Sequence, residues 1–146
     1  MSDTLNPQAL AQAASQAMWT RDNATHALGM ELVSVEPGRS VLRMKVRSDM
    51  VNGHHICHGG LIFTLADSAF AFACNTYNER VVAQHCAVTY LRPGRLGMRL
   101  TATAVERSRA GRSGNPNLPG ARFPFANCPI WATLGQATAP VMFEIW

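Results

Sequence analysis

The first apolar pattern along the chain has the spacing of a helix. Asn6 followed by Pro7 is a favourable helix opening. Apolar side chains then recur three or four positions apart, at Leu10, Ala13, Ala14, Ala17 and Met18. This spacing predicts a short amphipathic helix.

A strand pattern comes next. Residues 28–36 and 40–47 flank a Pro-Gly-Arg turn, and apolar Val41, Met44 and Val46 sit among polar neighbours in the second segment. Two apolar-rich segments joined by such a turn predict a β-hairpin.

A second pair of strand-like segments lies later in the chain. Residues 80–91 and 98–107 are separated by an Arg-Pro-Gly turn. In the latter segment Leu100, Ala102 and Ala104 alternate with polar side chains. We predict two further strands here.

Between these two pairs lies the longest apolar run. Residues 57–75 (CHGGLIFTLADSAFAFACN) are too many for one strand, and apolar side chains fall on every side of a helix drawn through them. The pattern predicts a long helix buried all round. The fold class is therefore α+β, an antiparallel sheet wrapped around one central helix.

Composition narrows the class of protein. The 146 residues are 47% hydrophobic and 15% charged, which suits one domain. The net charge of +4 is spread along the chain, so we expect no nucleic-acid partner.

No apolar stretch is long enough to cross a membrane and the start MSDTLNPQ lacks a secretory pattern, so we expect a cytoplasmic protein without a membrane partner. Four cysteines without a CxxC argue against a disulfide framework.

The predicted helix contains one strongly polar interior residue, Asp67. Burying a carboxylate is costly unless the group is hydrogen-bonded or used chemically. Desolvation raises the pKa of a carboxyl group, so Asp67 can act as a base near neutral pH. Its carboxylate can instead attack a thioester directly. The alternative is an aspartate that makes local helix contacts or faces solvent.

The same helix begins at His58, Gly59 and Gly60. The first turn of a helix has backbone N–H groups without partners and carries the positive end of the helix dipole. These groups suit a carbonyl oxygen that becomes negative during acyl transfer. The alternative is a plain helix entry with glycines chosen for close packing.

A metal site must be weighed in the preceding loop, where His54, His55 and His58 lie close to Cys57. Structural sites usually take ligands from two separated pairs, and no second pair is present. A catalytic metal site would need a carboxylate or histidine brought in by folding, so a metal site is the less favoured interpretation of this loop. Asn52 at the start of the loop can instead donate its amide to a substrate or a water molecule.

Positive charge at turns suits a phosphorylated ligand. Arg92 and Pro93 lie at the second turn, where a guanidinium group can bind phosphate. We assign both to substrate binding, together with Gly60 and Ser68, which neighbour the candidate catalytic groups. The alternative is a set of solvated loop charges.

The motif NGHHICHGGLIFTLADSAFAFACNTYN resembles the signature of the PaaI-type acyl-CoA thioesterases of the hot-dog superfamily. The resemblance extends from about residue 8 to residue 113 and includes the segment VTYLRPGRLG.

The resemblance implies hydrolysis of coenzyme A thioesters, with phenylacetyl or ring-hydroxylated phenylacetyl as the acyl group and with no metal or redox cofactor. It places Asp67 on the catalytic aspartate, Asn52 on the asparagine that positions water, and Gly59 on the residue whose N–H polarises the thioester carbonyl. His58 supports that loop. The resemblance also implies sites at the interface of a homodimer, with dimers assembling into a homotetramer, for which the edge strand 80–91 is a natural contact.

The family pattern ends after Gly114. Residues 114–146 contain five of the eight prolines and two charged residues, Arg122 and Glu144. Prolines oppose central strands, so we expect this tail to lack the family's last two strands, with residues 141–146 as one candidate replacement. We interpret 1–113 as the thioesterase domain and 114–146 as a divergent tail produced by a late frameshift.

Two other functions remain compatible with the sequence. One is a hot-dog hydratase or dehydratase acting on an acyl thioester, which would use His58 with a carboxylate as its acid-base pair. The other is a non-catalytic acyl-CoA-binding protein, which has no need of a buried carboxylate.

Overall fold

The computed structural model describes residues 6–83, 85–113, 123–127, 130–134 and 140–145, with side chains up to residue 107. In chain order its elements are α1 Pro7–Trp19, α2 Asn23–Ala27, β1 Met30–Glu36, β2 Arg39–Lys45, a 3-10 turn Ser48–Met50, α3 Gly59–Cys74, β3 Cys86–Thr89, β4 Arg99–Val105, β5 Ser108–Ser113, β6 Phe123–Asn127, β7 Ile130–Leu134 and β8 Pro140–Ile145. The predicted α+β class is confirmed.

A six-stranded antiparallel sheet forms one layer, in the order β1-β2-β4-β7-β8-β3. Strands β5 and β6 pair with each other in a separate two-stranded sheet. The predicted hairpin is confirmed as β1 and β2, which pair from Met30 opposite Met44 to Glu36 opposite Arg39. Strand β3 lies at one edge of the sheet, as the sequence predicted.

Helix α3 packs on the sheet and provides much of the core. Its fully buried side chains include Leu65, Phe70 and Phe72, and they meet the inward side chains of β2 and β4. A buried hydrogen bond fixes the helix to the sheet: the Ser40 hydroxyl on β2 donates to the carbonyl oxygen of Ala69, 2.6 Å away. The helix therefore has a defined position on the strands.

The prediction that this helix is buried all round is wrong for one face. Thr64, Asp67, Ser68 and Ala71 are half-buried and recur at helical spacing. The sheet of one chain covers only one side of the helix, so the opposite stripe keeps contact with solvent. Asp67 lies on this partly open face.

The predicted strand 80–91 is also shorter than expected. The side chain of Asn75, just after the end of α3, accepts a hydrogen bond from the Val81 N–H (2.9 Å) and donates one to the Val81 carbonyl (3.0 Å). Both backbone groups of Val81 are therefore engaged by a side chain instead of a strand ladder. In the described part of this segment, ladder pairing begins at Cys86, opposite Ile145.

The sheet order corrects the expectation that the tail lacks the last strands of the sheet. Within the tail, β7 pairs with β4 and β8 pairs with both β7 and β3, so tail strands fill the centre of the sheet. The prolines in the described strands lie at positions where a missing backbone N–H disturbs the hydrogen-bond ladder little. Pro140 is the first residue of β8, and Pro124 lies in β6 of the small sheet. The boundary after residue 113 and the frameshift origin stay predictions.

No helix in the described part of the chain has both the length and the apolar character needed to cross a bilayer.

Replacing Leu65 by alanine tests the role of α3 in the core. Leu65 is completely buried, whereas Leu96 is 60% exposed. We expect Leu65→Ala to lower the free energy of unfolding by about 2–5 kcal/mol, because it removes buried methyl groups and leaves a cavity. The same change at Leu96 should cost less than about 0.5 kcal/mol. Urea denaturation measures both, and equal losses would contradict this description of the core.

Candidate active site

The loop between the 3-10 turn and α3 is built around Asn52. Its side-chain oxygen accepts hydrogen bonds from the N–H groups of His54 (3.0 Å) and Ile56 (3.3 Å). Two backbone donors identify that atom as the oxygen, so the Asn52 Nδ2 group is the free end of the side chain. Among the described residues it has no acceptor. The loop thus presents a fixed amide donor.

The loop closes on itself before the helix begins. Val51 and Cys57 form an isolated antiparallel bridge, and the Cys57 N–H donates to the Gly94 carbonyl at 2.8 Å. The His58 N–H donates to the Met50 carbonyl at 2.9 Å. These bonds fix the position at which α3 starts.

His58 caps the helix with its ring. Its Nδ1 accepts a hydrogen bond from the Gly60 N–H at 3.0 Å, so Nδ1 is unprotonated and Nε2 carries the proton of the neutral ring. The His58 carbonyl accepts from the Leu61 N–H at 2.9 Å. The first turn of α3 therefore uses the amides of Gly60 and Leu61 for its own structure.

The Gly59 N–H is different, because it has no acceptor among the described residues. It stands at the positive end of a 16-residue helix, which favours negative charge at that point. Of the amides predicted to bind an oxyanion, Gly59 is available while Gly60 is occupied by His58. The assignment of Gly60 to substrate binding stays a prediction and would require the His58 cap to open.

Both glycines lie in close contact with an aromatic or imidazole ring. A Cβ atom at Gly59 would lie 3.1 Å from Cζ of Tyr90, and one at Gly60 would lie 3.1 Å from Nδ1 of His58. Each separation is shorter than ordinary van der Waals contact. In the sequence, the glycine pair suggested that a ligand can approach the backbone N–H groups. The close contact with the two rings is a second reason for glycine at these positions.

Asp67 is half-buried, and removal of water raises the pKa of its carboxyl group. Burial, and then the negative charge of the nearby Asp67, raise the pKa of the Cys86 thiol on β3. A carboxylate with a raised pKa on a partly open face is a stronger base than a free aspartate and can be reached by a proton donor.

Asp67 and Gly59 are far apart within one chain. They are eight residues apart on the same helix, which corresponds to about 12 Å along its axis. A thioester carbonyl carbon must lie about 3 Å from both an attacking group and its oxyanion donors. On this rise, the two backbone positions lie farther apart than the direct contacts of one carbonyl.

The remaining predicted residues lie around this site. Ser68 is half-buried beside Asp67, while Arg92 and Pro93 are exposed in the segment after β3. Their roles in substrate binding stay predictions. Phe70 and Phe72 are fully buried in the core and do not line an open pocket, whereas Phe63 is partly buried at its margin.

Three histidines in the loop do not form a metal centre with other ligands in the described structure. In that part of the chain, no group of three His, Cys, Asp or Glu side chains has a geometry that could hold a metal ion. His54 and His55 are exposed, and the Nδ1 of His58 is engaged as a helix cap.

Sequence reasoning did not find the role of Tyr90. Its hydroxyl donates a hydrogen bond of 2.9 Å to the Gly59 carbonyl from 31 positions away in the chain. The only signal was its place in the segment VTYLRPGRLG, because no local pattern connects the end of an edge strand with the start of a distant helix.

Comparisons with known proteins identify the family. Residues 54–114 match the model of the Thioesterase superfamily. The acyl-coenzyme A thioesterase PaaI of Escherichia coli is 44% identical over 100 residues, which are 68% of this chain and 71% of that protein. The chain belongs to the thioesterase superfamily.

Solved structures agree with this assignment. The PaaI protein from the phenylacetic acid degradation operon of E. coli superimposes with a TM-score of 0.85 at 34% identity, covering 96% of this chain and 93% of that one. A mutant of the phenylacetic acid degradation protein PaaI from Thermus thermophilus gives 0.73 at 31% identity, covering 85% and 96%. The resemblance found in the sequence and the predicted hot-dog fold are confirmed.

Asparagine at position 67 should stabilise the fold. Because the pKa of Asp67 is raised in the folded chain, the folded state holds its proton at pH values where the unfolded state has lost it, so stability falls as pH rises from about 4 through that pKa. Asp67→Asn removes this penalty. We expect a higher melting temperature at pH 7 and a difference that shrinks as pH falls toward about 4. A variant that melts lower at pH 7 would contradict the assigned desolvation.

Proposed function

We propose that the chain hydrolyses phenylacetyl-CoA or ring-hydroxylated phenylacetyl-CoA in sites shared between two subunits. The chain is an acyl-CoA thioester hydrolase, given its family and its 44% identity to an acyl-coenzyme A thioesterase. The arylacetyl group is the finer proposal. It is supported by two similar structures whose proteins are named for phenylacetic acid degradation.

The observation that carries the shared site is the separation between Asp67 and Gly59. Since about 12 Å of helix lies between them, a carbonyl bound at Gly59 needs a carboxylate from another chain. The half-buried face of α3 is where a second chain can supply it, because Asp67 lies on that face. A homodimer with two equivalent sites satisfies this geometry, and pairing of dimers gives the homotetramer.

Each residue then has a defined task. The Gly59 N–H donates to the thioester carbonyl and stabilises the negative charge that develops there. The Asn52 amide orients a water molecule, and Asp67 of the other subunit takes a proton from it as the water oxygen attacks the carbonyl carbon. The carbon–sulfur bond breaks, and the coenzyme A sulfur leaves with the proton. His58 holds the loop.

These steps transfer no electrons and use only side chains, backbone amides and water. We therefore propose that the enzyme needs no metal or redox cofactor. Coenzyme A enters as part of the substrate, and Arg92 is placed on an exposed turn where it can bind a phosphate of that group.

Release of free thiol from phenylacetyl-CoA tests the proposal. We expect the purified protein to release thiol and Asp67→Asn to lose at least about a hundredfold in kcat, because the general base is absent. Asp22→Asn is the matched control: the side-chain oxygen of Asp22 caps α2 by accepting from the Thr25 N–H, and asparagine caps equally well. Its activity should be unchanged.

The outcomes separate the parts of the proposal. Thiol release from straight-chain acyl-CoA but not from phenylacetyl-CoA would overturn the acyl group and leave the hydrolase. A change in double-bond absorbance without thiol would indicate a hydratase. Binding without either reaction, by a folded oligomer, would indicate a non-catalytic acyl-CoA-binding protein.

A further inference from the structure

Tyr90 covers the residue that the proposed mechanism uses to hold the carbonyl. Its hydroxyl donates to the Gly59 carbonyl at 2.9 Å, and its ring lies so close that a Cβ at Gly59 would be 3.1 Å from Cζ and 3.2 Å from the hydroxyl oxygen. The contact joins the segment after β3 to the first residue of α3. It links the edge of the sheet with the start of the helix.

The peptide between Gly59 and Gly60 is held at both of its polar ends. Tyr90 donates to its carbonyl, and Nδ1 of His58 accepts from its N–H at 3.0 Å. The preceding peptide, which carries the Gly59 N–H, is held at its carbonyl by the Leu61 N–H. Hydrogen bonds therefore fix both peptides that meet at Gly59, and the Gly59 N–H is the group of these peptides that has no partner among the described residues.

We propose that Tyr90 is a positioning residue for the oxyanion donor, an inference that rests on the proposed function. Glycine has the greatest backbone freedom of all residues, so two adjacent glycines at a helix start would otherwise let this N–H change direction. An oxyanion donor acts by being oriented before charge develops. Tyr90 and His58 together fix that orientation without contacting the substrate.

The environment of Tyr90 fits this role better than a packing role. Its side chain is 49% exposed, so it is not a core residue, yet its hydroxyl is directed to a backbone carbonyl. Burial raises the pKa of Tyr90, so the phenol stays protonated and remains a donor throughout the neutral pH range.

Tyr90→Phe tests the inference, because it keeps the ring over Gly59 and removes only the donated hydrogen bond. We expect kcat for thiol release to fall about tenfold, while KM stays within about twofold and the melting temperature is unchanged. Tyr77→Phe is the matched control. Tyr77 follows the opposite end of α3, and its loss of a hydroxyl should leave kcat unchanged.

A double variant adds a readout that simple loss of packing would not affect. If Tyr90 and His58 act on one peptide, the effect of Tyr90→Phe on kcat in a His58→Ala background should differ from its effect in the wild type. Independent, multiplying effects would overturn the inference.

These measurements distinguish a failure of the Tyr90 role from a failure of the proposed function. An unchanged kcat in Tyr90→Phe, with wild-type activity present and Asp67→Asn inactive, would overturn the role of Tyr90 and leave the proposed function intact. A fall in kcat accompanied by an equal fall in the melting temperatures of both tyrosine variants would also overturn it. An inactive, folded wild type would remove the proposed function itself, and this inference with it.

Discussion

A straight helix sets the distance on which the whole site depends. Helix α3 carries the proposed oxyanion donor at its first residue and the proposed catalytic carboxylate two turns later, and about 12 Å of helical rise separates them. The helix cannot bend to bring them together, because its buried side chains pack on the sheet and Ser40 binds the Ala69 carbonyl. This separation is the reason why we propose that the two groups at one carbonyl come from two chains.

At the start of the helix most polar groups of the backbone are used by the local structure. His58, Leu61 and Gly60 exchange hydrogen bonds that satisfy the first turn, and Asn52 uses its oxygen to shape the loop. Among the described residues, the Gly59 amide and the Nδ2 group of Asn52 are left without an acceptor. A helix terminus becomes a usable site here because the loop and a histidine cap satisfy the neighbouring donors.

Local periodicity predicted much of the fold. The helical spacing of α1, the hairpin at Pro37 and the length of α3 follow from positions close together in sequence. The candidate site was predictable for a similar reason, since a lone aspartate inside an apolar helix and a His-Gly-Gly helix start stand out against their surroundings. These signals need no knowledge of tertiary contacts.

The predictions that were wrong or missing depend on contacts between residues that are distant in sequence. Asn75 takes the backbone of Val81 out of the predicted strand, and the contact of Tyr90 with Gly59 spans 31 positions. The central place of β7 was missed because the density of prolines in the tail obscured a proline-free segment, Ile130–Leu134. The open face of α3 was missed because composition does not reveal which side a single sheet leaves uncovered.

Mixing two inactive variants tests the central claim, that each site takes its carboxylate and its amide donors from different chains. Asp67→Asn and Asn52→Ala are coexpressed with different tags, the tags are used to show that mixed oligomers form, and thiol release is measured on the whole, unseparated coexpressed protein. If the sites are shared, one of the two sites in each mixed dimer is intact, so random pairing restores about one quarter of wild-type activity. If mixed oligomers form and activity stays at the level of the separate variants, the sites lie within single chains and the account is contradicted.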